Sequence, residues 1–200
     1  MGVGPCPEPW PDDARLDPEL LADGDRRNVV DAYRYWSLEA IVADLDTRRH
    51  AFHVGIENFS HDFNIGSVIR TANAFLAKEV HIVGRRRWNR RGAMVTDRYQ
   101  HVRHHEDPTT LARWCAVNAI TIVGIDNVVG AVPLETFALP RDCLLLLGQE
   151  GDGLTQASQG ICSDVLSIAQ YGSTRSINAG AAGAIAMHAW IRRHAFEQVP

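Results

Sequence analysis

Four short runs of the chain are continuous and apolar: AFHVGI at 51–56, VHIV at 80–83, AITIVGI at 119–125 and CLLLL at 143–147. Runs of this length, rich in branched residues, predict parallel strands buried on both faces. Between them lie segments with apolar positions at helical spacing, IGSVIRTANAFL at 65–76 and PTTLARWCAV at 108–117. Asp107 is placed to cap the second, and Pro108 to take its first helical position. Ser37 is placed to cap an amphipathic helix over 38–49, with Leu38, Ile41, Val42 and Leu45 on one face. Strands alternating with helices predict an α/β fold, an open and mostly parallel sheet flanked by helices. In such sheets ligands bind beyond the carboxyl ends of the strands.

Three stretches leave an apolar strand and lead toward a helix: NFSHDFNIGSVIRTANAF at 58–75, LGQEGDGL at 147–154 and SIAQYGSTRSINAGAAGA at 167–184. If they meet, they form one pocket. In the first, Asn64 stands where a helix begins, which by itself reads as a cap. Arg70 lies among apolar or small neighbours, where an unpaired cation is costly, so an anionic partner is expected for it. The second holds Glu150 in a tight turn between Gly148 and Gly151, with Gly153 beyond, and glycines there let a ligand approach the backbone. It has neither the Lys and Ser/Thr of a phosphate-binding P-loop nor a GxGxxG fingerprint. The third places Ser173, Thr174, Arg175, Ser176 and Asn178 before a run of Ala and Gly. Small residues allow a second backbone to come close, which accounts for the run but not for the polar group ahead of it.

Composition adds limits. With 200 residues, 46% of them apolar, the chain can bury a sizeable core. No apolar run approaches the roughly 20 residues that cross a bilayer. The start, MGVGPCPEPWPDD, lacks the basic end and apolar stretch of a signal peptide, so no membrane association is expected and cytoplasmic residence is. Cys6, Cys115, Cys143 and Cys162 have no CxxC spacing, which predicts neither a disulfide framework nor a zinc site. His101, His104 and His105 read as a solvated polar strand or loop, and no metal is expected.

The net charge of −4 is unevenly spread, since residues 1–25 alone carry a net −6 and the remainder a net +2. The basic excess gathers in RRRWNRR at 85–91, just after the VHIV strand. Arg85, Arg86, Arg87, Arg90 and Arg91 suit phosphate, and Trp88 suits stacking on an unpaired base. The first 25 residues read as poorly ordered or as an arm packed on a partner. Tyr33, Tyr35 and Trp36, ahead of the first amphipathic helix, either extend a nucleic-acid surface or staple that helix to the core.

As an ordered set, the three stretches resemble the SpoU/TrmH branch of the SPOUT RNA methyltransferases over roughly residues 50–195. Asn64, Gly66 and Arg70 match the first family motif. Gly148, Glu150, Gly151, Gly153 and Leu154 match the second, and Gly172, Ser176 and Asn178 the third. There are departures: Ile168, Ala169 and Gln170 stand where the family has Ile-Pro-Met, Ile177 replaces Leu or Met, and Ala179 and Gly180 replace Val-Ser. These bear on the fit around the cofactor.

The resemblance implies transfer of methyl from S-adenosylmethionine to a ribose 2′-hydroxyl of tRNA or rRNA, a C-terminal trefoil knot that forms the cofactor seat, and a homodimer. It implies a catalytic group of Arg70, Asn64, Glu150, Ser176 and Asn178. The implied cofactor seat is Gly124, Ile125, Gly148, Gly151, Ile168, Ser176 and Ile177. Arg175 would join the 85–91 loop in holding RNA. On this division residues 1–49 are an acidic arm plus amphipathic helix, and 50–200 the methyltransferase domain. The brevity of the segment ahead of the core suits a tRNA enzyme slightly better than an rRNA one. The alternatives are a non-catalytic RNA-binding protein that keeps the fold, and methylation of a base nitrogen, which calls for a different acid/base set.

Overall fold

The computed structural model describes residues 2–59, 64–149 and 151–196, and the chain divides into two compact units, Met1–Arg49 and His50–Pro200. The larger unit is built on a seven-stranded sheet whose described pairings are all parallel. In chain order its strands are β1 (His53–Asn58), β2 (Val80–Gly84), β3 (Val102–His105), β4 (Thr121–Ile125), β5 (Val132–Pro133), β6 (Cys143–Leu147) and β7 (Asp164–Ser167), and across the sheet they run β3-β2-β1-β6-β4-β7-β5. The four apolar runs became β1, β2, β4 and β6. The other three strands are short or polar and carry no continuous apolar run to announce them.

In the smaller unit α1 is Pro18–Asp23 and α2 is Leu38–Asp46; in the larger, α3 is Ile65–Ala74, α4 Pro108–Val117, α5 Gln156–Gln159 and α6 Ala179–His194. Asp107 caps α4 by accepting from Thr110 N–H at 2.7 Å, and Ser37 caps α2 by accepting from Ala40 N–H at 3.1 Å.

Because side chains alternate along a strand, the sheet has two apolar faces. Val54, Ile56, Val80, Ile82, Val123 and Leu145 pack with Ile65, Val68 and Ile69 of α3 and with Ala186, Met187 and Trp190 of α6. Val83, Ile122, Leu144 and Leu146 pack instead with Leu111 and Cys115 of α4. The Ala/Gly run of α6 permits close approach: a Cβ on Gly183 would lie 2.7 Å from Leu147 Cδ1.

The smaller unit corrects the expectation of a poorly ordered arm. Residues 3 and 25 pair, as do 16 and 36, and the buried Asp25 carboxylate accepts from Arg27 N–H, the Arg27 guanidinium and Tyr35 N–H at 2.7–3.1 Å. Burial alone would raise the Asp25 pKa, but these bonds and the guanidinium charge hold it down at about 2. The aromatic group is structural. Tyr33 is buried and bonds Asp44 and Arg48, and its ring lies 5.3 Å from that of Trp36. These contacts tie the aromatic group to α2 within the smaller unit.

A second correction concerns histidine. His105 is buried, and its Nε2 lies 2.9 Å from His81 Nδ1, while His81 Nε2 lies 3.0 Å from His53 Nδ1. Three adjacent strands are thus joined by a chain of imidazoles beneath Trp114 of α4. In sequence His105 groups with its neighbours His101 and His104, but in the sheet it stands opposite Val83 and its ring reaches back along the same face to His81. Burial, with Lys78 and Arg103 nearby, pushes His53 down to about 4; burial with Arg103 and His104 does the same for His105; burial sends His81 well below its ordinary value of 6.5. These groups stay neutral in the fold while the unfolded chain takes up protons below about pH 6.5, so their effect is loss of stability as pH falls from about 6.5 to about 4. The urea midpoint is expected to fall across that window, and less steeply in His105→Gln; an equal slope in the two proteins would refute the assignment.

Candidate active site

The carboxyl edge of the sheet is where strands buried on both faces release their chain into polar loops. Three side chains near the ends of β1 and β4 hold those loops. Glu57, 1% exposed on β1, accepts from Thr155 N–H at 2.9 Å, Thr155 Oγ1 at 2.6 Å and Ser158 Oγ at 2.6 Å. Asn58 Nδ2 donates to the carbonyls of Arg85 and Arg87 at 2.6 and 3.0 Å. Asp126, just after β4, accepts from Leu154 N–H through Oδ2 and from Asn127 N–H through Oδ1, both at 2.7 Å. None was singled out from sequence. The available signal was an acid or amide at the end of an otherwise apolar strand, as in AFHVGIEN and TIVGID.

Between the held loops opens a cavity of about 540 Å³. Its floor is Ile125 and Leu147, and one wall is the glycine turn after β6. That turn closes on itself, with Gln149 and Gly153 exchanging backbone hydrogen bonds of 3.1 and 3.2 Å. A Cβ on Gly148 would lie 2.2 Å from the Gly153 carbonyl carbon, and Gly151 and Gly153 have φ of +100° and +67°, so this turn requires glycine. The opposite wall comes from Ile168 and Gln170 after β7 and from Arg175 through Ala179, entering α6. Asn127 Nδ2 donates to the Arg175 carbonyl at 3.0 Å and so ties that wall to the end of β4.

Six of the seven residues expected to seat a cofactor line the cavity: Ile125, Gly148, Gly151, Ile168, Ser176 and Ile177. Gly124 does not. It faces inward, where a Cβ would meet Leu154 Cδ1 at 2.9 Å and Cys162 Sγ at 3.1 Å.

Ser176 and Asn178 also line the cavity. Asn178 caps α6, its Oδ1 accepting from Gly180 and Ala181 N–H, while its Nδ2 donates to Asn64 Oδ1 at 2.9 Å. Asn64 stands at the N-cap of α3 but its side chain makes no cap bond, so the simple-cap reading is replaced by a link between the first and third stretches. Arg70 is exposed on α3 and makes no ion pair among the described residues. Its apolar neighbours Val68 and Ile69 turn inward while position 70 turns out. Glu150 lies outside the described residues.

The 85–91 loop also leaves the carboxyl edge. Its five arginines are exposed, and its end packs on the start of α3, where a Cβ on Gly66 would lie 2.5 Å from Ala93 N. Trp88 is half-buried against the core with the Arg90 guanidinium 5.7 Å from its ring centroid. Part of the indole is therefore engaged within the protein.

An open parallel α/β sheet with a glycine-walled cavity at its carboxyl edge defines a ligand-binding α/β protein. The SpoU rRNA Methylase family model matches residues 51–188, and the chain belongs to that family. Among curated proteins it is 26% identical over 175 residues to an uncharacterized tRNA/rRNA methyltransferase of Synechocystis sp., covering 84% of this chain and 45% of that protein. It is 28% identical over 156 residues to an uncharacterized tRNA/rRNA methyltransferase of Mycobacterium marinum, covering 74% and 49%. The chain thus spans about half the length of these relatives. Among solved structures, the TrmH/SpoU tRNA modifying enzyme of A. aeolicus superposes with a TM-score of 0.71 at 17% identity, covering 80% of this chain and 84% of that one. The SpoU methyltransferase AviRb from Streptomyces viridochromogenes, in complex with AdoMet, superposes with a TM-score of 0.66 at 25% identity, covering 75% and 60%.

Glu57→Ala leaves two hydroxyls and a backbone N–H without their acceptor, and is expected to cost about 2–4 kcal/mol of stability. Urea denaturation measures it; a loss below about 1 kcal/mol would show that Glu57 does not hold the loop.

Proposed function

We propose that the chain is an S-adenosylmethionine-dependent RNA methyltransferase acting on a ribose 2′-hydroxyl of tRNA or rRNA. The observation that carries this is the Asn178–Asn64 hydrogen bond, which joins the first and third family motifs beside a cavity walled by the second. The cavity suits the cofactor chemically. Among the described residues Gln170 Oε1 is buried without a hydrogen-bond partner, and Gln170 lines the cavity, as does Asp126. These are acceptors for a ligand that brings an ammonium and an aromatic amine, while Ile125, Leu147 and Ile168 offer an apolar seat for a purine ring. Gln170 stands where the family has Met, so this acceptor is a feature of this chain.

When bound, the methyl donor supplies a carbon already activated by a sulfonium, and transfer is an in-line displacement in which the new bond to oxygen forms as the bond to sulfur breaks. The task left to the protein is alignment and handling of the hydroxyl proton. Asn178, fixed by the α6 N-terminus and by Asn64, orients the groups at the cavity mouth, together with Ser176 and Glu150. Arg70 binds an RNA phosphate and stabilises negative charge developing on the ribose oxygen. A guanidinium with a pKa above about 12 is poorly suited to act as a free base, so any proton acceptance belongs to the assembled complex. The exposure of Arg70 leaves its guanidinium open to an RNA phosphate or to a second copy of the chain. A homodimer and a trefoil knot around 168–178 complete the reading. Arg85, Arg86, Arg87, Arg90, Arg91 and Arg175 hold the RNA backbone, with Trp88 as support for the loop.

Arg70→Ala is expected to keep cofactor affinity by calorimetry and to lose about 100-fold or more in turnover on the natural RNA; full methylation by the variant would sink the assignment. That RNA is found by mapping ribose methylation by mass spectrometry in cells with and without the protein. Replacing Arg85, Arg86 and Arg87 by Ala should weaken RNA binding and flatten its salt dependence by roughly one slope unit for each phosphate released from an arginine, with cofactor affinity unchanged. An unaltered salt slope would remove the loop from the interface.

A further inference from the structure

At the amino end of β1 and β2, opposite the edge that carries the cavity, His53, Glu79 and His81 bring one ligand atom each within 4.8 Å of one another. We propose that these three side chains form a divalent metal site, selective for ions of the zinc and cobalt type. It is distinct from the methyl-transfer cavity.

The donor set, two imidazoles and a carboxylate, is one that zinc uses. His53 Nδ1 and His81 Nε2 are 3.0 Å apart and share a proton in the metal-free protein. Two ring nitrogens this close can bind one metal ion once the His53 proton moves to its other ring nitrogen. With metal–nitrogen bonds of about 2.0–2.1 Å, tetrahedral coordination sets the nitrogens roughly 3.3 Å apart with the ion roughly 35° off the N···N axis at each, so the rings must part by a few tenths of an ångström and turn to admit it. Glu79 Oε2 lies 3.9 Å from His81 Nε2, close enough to become the third ligand by a side-chain rotation.

The surrounding groups orient this set. His81 places Nδ1 2.9 Å from His105 Nε2, so donation of its Nδ1–H to His105 leaves Nε2 as the ligating atom. Metal-bound histidines commonly hold their second nitrogen in this way. The other Glu79 oxygen, Oε1, accepts from Arg103 Nε at 3.0 Å, which holds the carboxylate and leaves Oε2 turned toward the imidazoles. Trp114 covers the pair, its ring centroid 4.5 Å from that of His81 and 5.4 Å from that of His53, and limits the competition of water. Entry runs past Arg103, whose side chain is 46% exposed, to Glu79 at 15%. The cysteine spacing that argued against zinc has no bearing on an imidazole–carboxylate set. Glu79 and His81 stand two residues apart at the start of β2, but His53 comes from β1, so the full set is assembled only by strand pairing.

The chelator-stripped full-length protein is titrated with zinc, and in parallel with cobalt, at pH 7.5. One equivalent is expected to bind, with a rise in melting temperature and, for cobalt, visible absorption bands of low coordination number. Glu79→Gln, a conservative change at a partly exposed group, should weaken binding at least tenfold, and His53→Gln more. Absence of stoichiometric binding by the wild-type protein, or equal binding by Glu79→Gln, overturns the proposal. A melting temperature that responds to pH but not to either metal overturns it as well, leaving the imidazoles as hydrogen-bonding groups alone.

Discussion

The structure depends on burial of a parallel sheet on both faces. With α3 and α6 packed on one side and α4 on the other, the central strands are apolar along their length and polar chemistry is confined to their ends. Loops leaving the carboxyl edge have no sheet partner of their own. They are held by side chains rooted in the strands: Glu57 holds 155–158, Asn58 holds 85–87 and Asp126 holds 153–154 and its own neighbour Asn127. A buried polar group with its bonds satisfied is costly to misplace, so each of these contacts fixes a loop in one position. The cavity is the space left between fixed loops.

The same constraint orders the three motif stretches. Gly148 stands directly at the end of β6, the strand between β1 and β4. Its turn can fold tightly back because Gly153 and Leu154 approach closer than any side chain would permit. Across the cavity, α6 begins with Asn178, which commits one side-chain atom to its own helix and another to Asn64 at the start of α3. One residue thereby sets the relation of two helices that also pack together through Gly180, where a Cβ would come within 2.8 Å of Ser67 Oγ. The small residues of α6 and the polar residues before it are parts of one arrangement.

At the opposite end of the strands the burial rule takes a different form. His53, His81 and His105 are polar groups inside the layer between sheet and α4, and they satisfy one another across three strands. Such a chain is compatible with the interior only while neutral, which makes this end of the sheet sensitive to protons.

Local information determined a good deal. The apolar runs specified β1, β2, β4 and β6, and the Asp107-Pro108 and Ser37 signals specified the starts of α4 and α2; these rest on periodicity and capping. The family resemblance, carried by motifs contiguous in the chain, implied a cofactor seat of which Ile125, Gly148, Gly151, Ile168, Ser176 and Ile177 line the cavity. What the tertiary structure alone decided depends on register and facing. Arg70 turns outward although its helix neighbours are apolar, Gly124 faces inward one residue from the cavity floor, and Trp88 is partly taken up by the core. Glu57 meets Thr155 and Ser158 about a hundred positions later, and His105 meets His81 rather than His104. The physical reason is common to all: a strand or helix periodicity says that a residue has two sides to choose from, and only the packing of distant elements decides which side is the interior.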